Sequence, residues 1–222
     1  MKALTIIVLT KNPTLDFVKK CLDNITLNTR VSYELILIRD SPKDFGYSKE
    51  VNRAIRISET ENIVLINDDV FVSKNWFEKM NRENADIIGG LKEEGYNKYV
   101  CFALALIRKR VFDKIGMLDE SYKFGYEDTE FCIRALKNNF VLKTIDTGSE
   151  HLGKRTSISF YPQIRKAQGA LRFWNSLDKP IPFLFMVVFL DPILLIVNMI
   201  FGRQFFLNSF MPKLRLVSRN AV

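Results

Sequence analysis

The sequence predicts an α/β fold with a single, mostly parallel sheet flanked by helices, followed by an apolar and basic helical tail. Short apolar runs alternate with segments of helical period through the first half of the chain. Polar residues follow the ends of these apolar runs, and the excess of basic residues lies in the last third. At 222 residues the chain is long enough for one full domain and too short for two.

Three short apolar runs predict buried strands at residues 4–9, 34–38 and 62–66. The segments between them repeat apolar side chains at helical spacing and predict two helices. The marking residues are Leu15, Val18, Leu22 and Ile25 in the first helix, and Val51, Ala54, Ile55 and Ser58 in the second. A strand–helix–strand–helix–strand order is typical of parallel strands joined by right-handed crossovers.

The elements further along are predicted in the same way. Ser73 is expected to cap a short helix that carries Trp76, Phe77 and Met80 on one side. Next come a strand at residues 99–107, a helix at 110–115, a helix from 127 to about 139, and a strand at 140–145.

The composition sets limits on the class of protein. Apolar residues make up 47% of the chain and charged residues 26%, which favours a packed core over disorder. Cys21, Cys101 and Cys132 lie far apart and form no CxxC pair, so neither a disulfide framework nor a zinc site is predicted. The first apolar run is very short for a signal peptide, and we expect a cytoplasmic protein.

The net charge of +8 is unevenly placed along the chain. Residues 1–150 carry 23 basic and 23 acidic residues, whereas residues 151–222 carry 10 and 2. Such a basic tail indicates an anionic partner. Nucleic acid is not expected, because the tail is largely aliphatic and has no recognisable reading motif.

The apolar content of the tail favours a membrane surface as that partner. Residues 160–174 have the pattern of a basic amphipathic helix, and residues 181–201 form an apolar run. Asp191 and Pro192 lie in the middle of that run and argue against a helix that crosses the bilayer. We therefore expect peripheral or monotopic attachment to the anionic inner face of the cell membrane. The alternative is that this run packs on the domain itself or joins two copies in a homodimer.

Polar residues gather where the three predicted strands end. Thr10 to Asn12 follow the first strand, Asp40 follows the second, and Asp68 and Asp69 follow the third. Ligands of open α/β sheets bind beyond the carboxyl ends of their strands. No glycine-rich loop follows the first strand, so a dinucleotide-binding site or a P-loop is not expected.

Two groups of carboxylates have a chemistry that fits such a site. Asp68 and Asp69 offer oxygen ligands for a divalent cation, and Asp128, in an aromatic-flanked loop, offers a general base. Each has a structural alternative. The Asp pair occurs in ordinary turns, and the acidic group at Glu127 and Asp128 can complement a helix dipole. His151, a lone histidine, can be a packed or surface residue. Only the ordered combination favours catalysis.

That ordered combination resembles glycosyltransferase family two, whose fold is the nucleotide-sugar-binding type A. The matching segments are LTIIVLTKN at 4–12, GYSKEVN at 46–52, IVLINDD at 63–69, FDKIGMLDE at 112–120 and FGYEDTE at 124–130. His151, with Tyr161 and Arg165 beyond it, resembles the late histidine and basic helix of the family. The resemblance covers residues 4–172 and is greatest to the rhamnosyltransferase-like branch.

The resemblance implies an inverting, Mn2+- or Mg2+-dependent transfer of a sugar from a UDP-, GDP- or dTDP-linked donor. The acceptor would be a hydroxyl of a glycan or a lipid-linked molecule. By the same resemblance Asp69 and His151 would hold the metal, and Asp128 would be the base, with Glu127 as its neighbouring candidate. The implied donor-binding residues are Thr10, Asn12, Asp40, Asn52 and Asp68. The catalytic domain would occupy residues 1–178 and the membrane-associating tail residues 179–222.

The sequence departs from the family pattern at two positions. Asn67 stands where the DxD-like motif often begins with aspartate, and Arg39 stands where an aspartate usually follows the second strand. These departures sustain one alternative, a catalytically inactive, nucleotide-binding membrane adaptor of the same fold.

Overall fold

A computed structural model describes residues 2–10, 12–39, 46–91, 99–122 and 125–152. Asp40, the boundary at residues 178 and 179, and the whole predicted tail lie outside the described residues. Every helix within the described ranges falls short of the length and apolarity that spanning a bilayer requires.

The strands of these ranges form one six-stranded sheet and one two-stranded sheet. They are β1 Leu4–Thr10, β2 Tyr33–Arg39, β3 Asn62–Asn67, β4 Val70–Phe71, β5 Ile87–Gly89, β6 Leu104–Arg108, β7 Leu142–Thr144 and β8 Glu150–His151. The large sheet has the order β2-β1-β3-β6-β5-β7, and β4 pairs with β8 in the small one. β1 is parallel to β2 and β3, and β5 is parallel to β7, whereas β6 runs antiparallel to both of its neighbours. The predicted α/β fold with a mostly parallel sheet is confirmed.

Helices cover both faces of the large sheet. They are α1 Asp16–Asn28, α2 Tyr47–Ile57, α3 Trp76–Asn81, α4 Lys109–Ile115 and α5 Glu127–Lys137. One apolar cluster joins alternate residues of β1 to Ile25 of α1 and to Trp76 of α3. The other cluster joins Ile7 and β3 to α2, α4 and α5, with Phe131 of α5 fully buried. Each face of β1 thus packs against its own set of helices, as the continuous apolar run at residues 4–9 predicts.

Two predicted strands differ from the observed ones. The run at residues 34–38 was expected to be buried, but β2 is an edge strand on which Leu35 and Leu37 remain 38% and 40% exposed. The run at residues 99–107 was expected to be one strand, but only Leu104–Arg108 pairs in the sheet. Both segments are strands or contain one, as predicted. Which other strands pair with them, and over what length, depends on distant parts of the chain that the local pattern does not specify.

The predicted cap at Ser73 is also wrong. The helix begins at Trp76, after Asn75 in the left-handed region with φ 58°. The Ser73 hydroxyl instead donates to the carbonyl of Thr147, and the Ser73 backbone N–H donates to the Ser149 hydroxyl at 3.0 Å. Ser73 therefore fixes the chain segment that leads to His151.

Candidate active site

The carboxyl ends of β1 and β3 lie beside the start of β6. Leu9 is in register with Asn67, and Ile66 is in register with Leu104 at the beginning of the antiparallel strand β6. The backbone N–H of Asn67, the last residue of β3, donates at 2.9 Å to the carbonyl of Ala103, the residue before β6. Residues that follow β1 and β3 and residues that precede β6 therefore share one edge of the sheet.

Asp69 and His151 meet at this edge. The His151 Nε2 lies 2.9 Å from the Asp69 Oδ1, although the two residues are far apart in the chain. Both side chains are largely buried, with 18% of the His151 side chain and 10% of the Asp69 side chain exposed. The pairing between β4 and β8 sets Val70 opposite His151, and the Leu152 N–H donates to the Asp69 carbonyl at 3.0 Å. Backbone hydrogen bonds on both sides thus hold the pair.

A short segment before β8 brings His151 into this position. Thr147 is fully buried, and its hydroxyl donates to the Gly90 carbonyl at 2.7 Å. Its carbonyl accepts from the Lys79 Nζ of α3 at 2.6 Å and from the Ser73 hydroxyl. The segment is thereby attached to the end of β5 and to the start of α3 before β8 begins.

Glu127 and Asp128 open α5 after a tight turn. Gly125 and Tyr126 both adopt left-handed conformations, with φ 80° and φ 70°. For a tyrosine this conformation is unfavourable and persists only where the surroundings impose it, a condition frequent at functional sites. The turn places the two acidic residues at the first positions of the helix, where the helix dipole favours a negative charge.

The Asp128 carboxyl is partly buried and held by specific donors. Its Oδ1 accepts from the Thr129 backbone N–H at 2.7 Å and from the Thr129 hydroxyl at 3.2 Å. The backbone N–H of Phe102 is a further donor to it. Burial raises the pKa of Asp128 above its ordinary value, and the hydrogen bonds from Thr129 and Phe102 oppose this rise. A carboxylate with a raised pKa is a stronger proton acceptor near neutral pH.

Residues 102 and 103 connect the two carboxylate groups. The Phe102 N–H donates to Asp128, and the carbonyl of the next residue, Ala103, accepts from Asn67. Asn67 in turn lies two residues before Asp69. Two hydrogen bonds and the backbone between them therefore connect Asp128 to the turn that carries Asp69, so that Asp69, Asp128 and His151 lie at one edge of the sheet.

Tyr47 is a neighbour of this site that the sequence did not reveal. It is the first residue of α2 and packs at the border of the apolar cluster under α2 and α5. Burial raises the pKa of Tyr47 well above its ordinary value, and the nearby carboxylates of Glu127 and Asp128 raise it further. Tyr47 lies in the GYSKEVN segment, but nothing in its local pattern indicates that it faces the carboxylates.

The donor-binding residues expected after β1 form a compact turn. Thr10 is 2% exposed, and its hydroxyl accepts from the Asn12 backbone N–H at 3.3 Å. The Asn12 Oδ1 accepts from the Thr14 backbone N–H at 3.1 Å and from the Thr14 hydroxyl at 2.7 Å. Asp68 lies in the turn between β3 and β4, beside Asp69. Thr10, Asn12 and Asp68 thus lie at the expected edge, while their contact with a donor stays a prediction.

Asn52 is occupied by contacts within the protein. Its side chain is buried in α2, its Nδ2 donates to the Leu118 carbonyl at 2.8 Å, and its Oδ1 accepts from the Leu118 N–H at 3.0 Å. The Nδ2 also donates to Glu120 at 3.0 Å. These bonds give Asn52 a structural role in holding the loop before α5. Its predicted contact with the donor stays a prediction.

The ligands that the described residues offer to a cation are few. Asp69 and His151 supply one carboxylate and one imidazole, both accepted ligand types for a divalent metal. Within the described ranges no group of three or more His, Cys, Asp or Glu side chains converges on one point.

Comparison with known proteins bears on the fold. No protein-family model matches the sequence, and no curated protein matches it. Among solved structures, a mannosyltransferase from Pyrobaculum calidifontis in complex with GDP-Man and Mn2+ aligns with a TM-score of 0.61 and 15% identity, covering 99% of this chain and 79% of that one. A mutant Drosophila β-1,4-galactosyltransferase 7 in complex with manganese, UDP-Gal and xylobiose aligns with a TM-score of 0.58 and 14% identity, covering 74% and 79%.

At these identities the alignments show the fold alone. The chain has the α/β architecture of type A glycosyltransferases, the fold class of both solved enzymes. Fold likeness by itself does not establish an activity, which depends on the site.

Proposed function

We propose that this protein transfers a sugar from a nucleotide-sugar donor to an acceptor hydroxyl, in a reaction that depends on a divalent metal and inverts the anomeric carbon. The observation that carries the proposal is the gathering of Asp69, His151 and Asp128 at the carboxyl edge of the sheet. In open α/β sheets this edge is where ligands bind. Two solved enzymes of the same fold contain a nucleotide sugar and manganese, which supports the same chemistry here.

Asp69 and His151 would hold the metal, Mn2+ or Mg2+. Their facing Oδ1 and Nε2 atoms, already 2.9 Å apart, are a hard oxygen ligand and an imidazole nitrogen. A bound divalent cation would neutralise the charge that develops on the leaving diphosphate. With Asn67 in place of the usual first aspartate, these two side chains would carry most of the protein's share of the coordination.

Asp128 would act as the general base. The acceptor oxygen attacks the anomeric carbon, the bond from that carbon to the diphosphate oxygen breaks, and the hydroxyl proton passes to the Asp128 carboxylate. Its raised pKa suits this role, because the carboxylate accepts a proton more readily than that of an exposed aspartate. Glu127, the preceding residue at the start of α5, is the neighbouring candidate. A single displacement of this kind inverts the anomeric configuration.

The finer assignments rest on the sequence motifs. The segments at residues 46–52, 63–69 and 124–130 support membership of glycosyltransferase family two and its rhamnosyltransferase-like branch, with a UDP-, GDP- or dTDP-linked hexosyl or rhamnosyl donor. The acceptor would be a glycan or a lipid-linked molecule. Thr10, Asn12, Asp68 and Asp40 would contact the donor.

We also propose that the tail at residues 179–222 associates with anionic lipid. The apolar run and the basic residues beyond it support attachment at the inner face of the cell membrane. Vesicle flotation of the full chain with and without phosphatidylserine would test this. A full-length protein that stays with the aqueous fraction under both conditions would contradict it, and a dimer in solution would favour subunit packing.

The proposed transfer is tested by metal-dependent binding and turnover. Isothermal titration of UDP, GDP and dTDP, each with and without Mn2+, should reveal one nucleotide that binds only with the metal. The corresponding nucleotide sugars should then be hydrolysed slowly in the presence of Mn2+. A chain that binds no nucleotide contradicts the proposal, whereas nucleotide binding without turnover of any sugar favours the inactive adaptor.

A further inference from the structure

Arg134 makes four hydrogen bonds from one guanidinium group. Its Nε and Nη2 donate to the two carboxylate oxygens of Glu130 at 2.5 and 2.9 Å, which is a bidentate pair one turn apart on α5. Its Nη1 donates to the Ile115 carbonyl at 2.7 Å, and Nη2 also donates to the Met117 carbonyl at 2.8 Å. The pair is well shielded, with 28% of the Arg134 side chain and 17% of the Glu130 side chain exposed. Such a planar fork is specific to arginine.

These bonds attach the helix of the candidate base to the helix before it. Ile115 is the last residue of α4, so the guanidinium satisfies a carbonyl at a helix end that has no intrahelical partner. The guanidinium also lies 5.1 Å from the centre of the Phe131 ring. Phe131 packs against Phe112 of α4 and against Phe102, whose N–H binds Asp128. Arg134 is therefore linked to the surroundings of Asp128 through Phe131 and Phe102.

The loop between α4 and α5 is held from its other side by α2. Asn52 binds both backbone groups of Leu118, and the Ser48 hydroxyl donates to the Tyr122 carbonyl at 3.0 Å. The loop at residues 115–122 thus has Arg134 on one side and Asn52 on the other. Because the loop leads to the turn that opens α5, its position constrains where Asp128 can lie.

We propose that Arg134 is a positioning residue for the transfer reaction: its fork on Glu130 and on the carbonyls of residues 115 and 117 fixes the start of α5, and with it Asp128, relative to the metal pair. The inference rests on the proposed function. Arg134 acts through Glu130 and the loop. Lysine keeps the charge at this position but offers a single flexible ammonium that cannot make the four bonds together.

The test compares Arg134→Lys with wild type in the full chain. A displaced base slows the chemical step, and a misplacement of about 1 Å can cost about 100-fold in rate. We expect kcat for Mn2+-dependent hydrolysis of the nucleotide sugar to fall about 10- to 100-fold. The Kd of the matching nucleoside diphosphate with Mn2+ should stay within about twofold, because Asp69 and His151 are held by separate backbone contacts.

Arg110→Lys is the matched control. Arg110 also pairs with a carboxylate through two nitrogens, at 2.8 and 2.5 Å from the Asp86 Oδ1, but Asp86 precedes β5 and Arg110 follows β6, at the opposite edge of the sheet. Its loss should lower thermal stability without changing kcat. Glu130→Gln serves as a milder second variant that keeps one acceptor oxygen, and it should lower kcat by less than Arg134→Lys.

The outcomes separate the inference from the proposed function. A fall in kcat with an unchanged nucleotide Kd in Arg134→Lys, absent in Arg110→Lys, supports a positioning role. Unchanged kcat per folded molecule in both Arg134→Lys and Glu130→Gln overturns it, as does an equal fall in Arg110→Lys. If wild type binds nucleotide with Mn2+ but turns over no sugar, the proposed function itself fails and the inference fails with it.

Discussion

Asp69 and His151 are held together by backbone pairing, whereas Asp128 depends on side-chain contacts from two helices. In the Asp69–His151 pair, the pairing of β4 with β8 and the Leu152–Asp69 hydrogen bond hold the His151 Nε2 2.9 Å from the Asp69 Oδ1. On the side of Asp128, Arg134 and Asn52 hold the loop before α5 through side-chain bonds to backbone groups. The same edge of the sheet therefore carries one centre fixed by strands and another fixed by individual side chains.

This difference has consequences for how each centre responds to substitution. Backbone pairing survives the replacement of most side chains, so the metal pair should be sensitive mainly to changes of Asp69 and His151 themselves and of the few side chains, such as Thr147, that attach the segment before β8. A centre held by side chains can be displaced by a change several residues away. Substitutions on the two sides should thus separate into effects on metal-dependent binding and effects on turnover.

The largest effect is expected at the base. Asp128→Asn keeps the shape and the acceptor oxygen for Thr129 but removes the proton acceptor, and general bases typically contribute ~10²–10⁴-fold. We expect kcat to fall by about that factor while Mn2+-dependent nucleotide binding persists, measured by titration and steady-state kinetics.

Asp113→Asn is the control for this variant. Asp113 is an exposed aspartate on α4, and its replacement should leave both kcat and nucleotide binding unchanged. Full activity in Asp128→Asn would show that Asp128 is not the general base, and the role would pass to Glu127 or to a residue outside the start of α5. Loss of nucleotide binding in Asp128→Asn would show that the two centres are not independent.

A change at the other centre should act on binding. His151→Ala preserves the backbone pairing with Val70 but removes the imidazole. Even the loss of a group that only hydrogen-bonds to a metal ligand typically lowers metal affinity about 10–100-fold. We expect the Mn2+ concentration for half-maximal nucleotide binding to rise by about 100-fold or more. Glu150→Gln, an exposed neighbour on β8, should leave it unchanged. An unaltered Mn2+ requirement in His151→Ala would place the metal elsewhere.

Local sequence patterns predicted the first three strands, the first two helices and the helix that carries Asp128. They succeeded there because burial on both faces of β1 and β3, and on one face of α1 and α2, imposes a repeat that can be read along the chain. β4 and β8 were missed because each spans two residues, too few to show a period. The exposure of β2 was not predicted, because an apolar run does not show whether a second strand pairs with its outer side.

The sequence suggested members of a candidate site, whose roles stay predictions, but it did not indicate the contacts that support them. Asp69, Asp128 and His151 could be selected because the motifs around them occur in order along the chain. The expected contact of Asn52 with the donor stays a prediction, and its hydrogen bond to Leu118, 66 residues away, was not indicated by the sequence. Nothing in the sequence indicated a special role for Arg134, because basic residues are common in the last turn of a helix. Contacts between side chains and distant backbone groups leave no local pattern to read.

Asn52→Ala sharpens the difference between the two centres through stability. It leaves the N–H and carbonyl of Leu118 without their partner in a buried place, a loss of about 1–3 kcal/mol. We expect Tm to fall by roughly 2–4 °C for each kcal/mol, with kcat lowered and Mn2+-dependent nucleotide binding retained. Asn138→Ala, which removes an exposed bond to the Arg134 carbonyl, is the control and should change stability by less than about 0.5 kcal/mol. Nucleotide binding abolished in folded Asn52→Ala would indicate a direct contact with the donor.

The smallest expected effect is on the free energy of unfolding, and it comes from burying the ionisable carboxyl of Asp128. Because burial raises its folded pKa, the folded protein holds more protons than the unfolded chain between the two pKa values. The free energy of unfolding of wild type therefore falls as pH rises through that interval and stays lower above it. Asparagine does not ionise, so Asp128→Asn should have the higher Tm at pH 7.5, by up to a few degrees, and the gain should shrink as pH is lowered toward 4. Thermal melts across this pH range, with Asp113→Asn as control, measure it. A gain that is independent of pH would mean that ionisation of Asp128 does not destabilise the folded protein, so that burial of this carboxyl is not what separates its side of the site from the other.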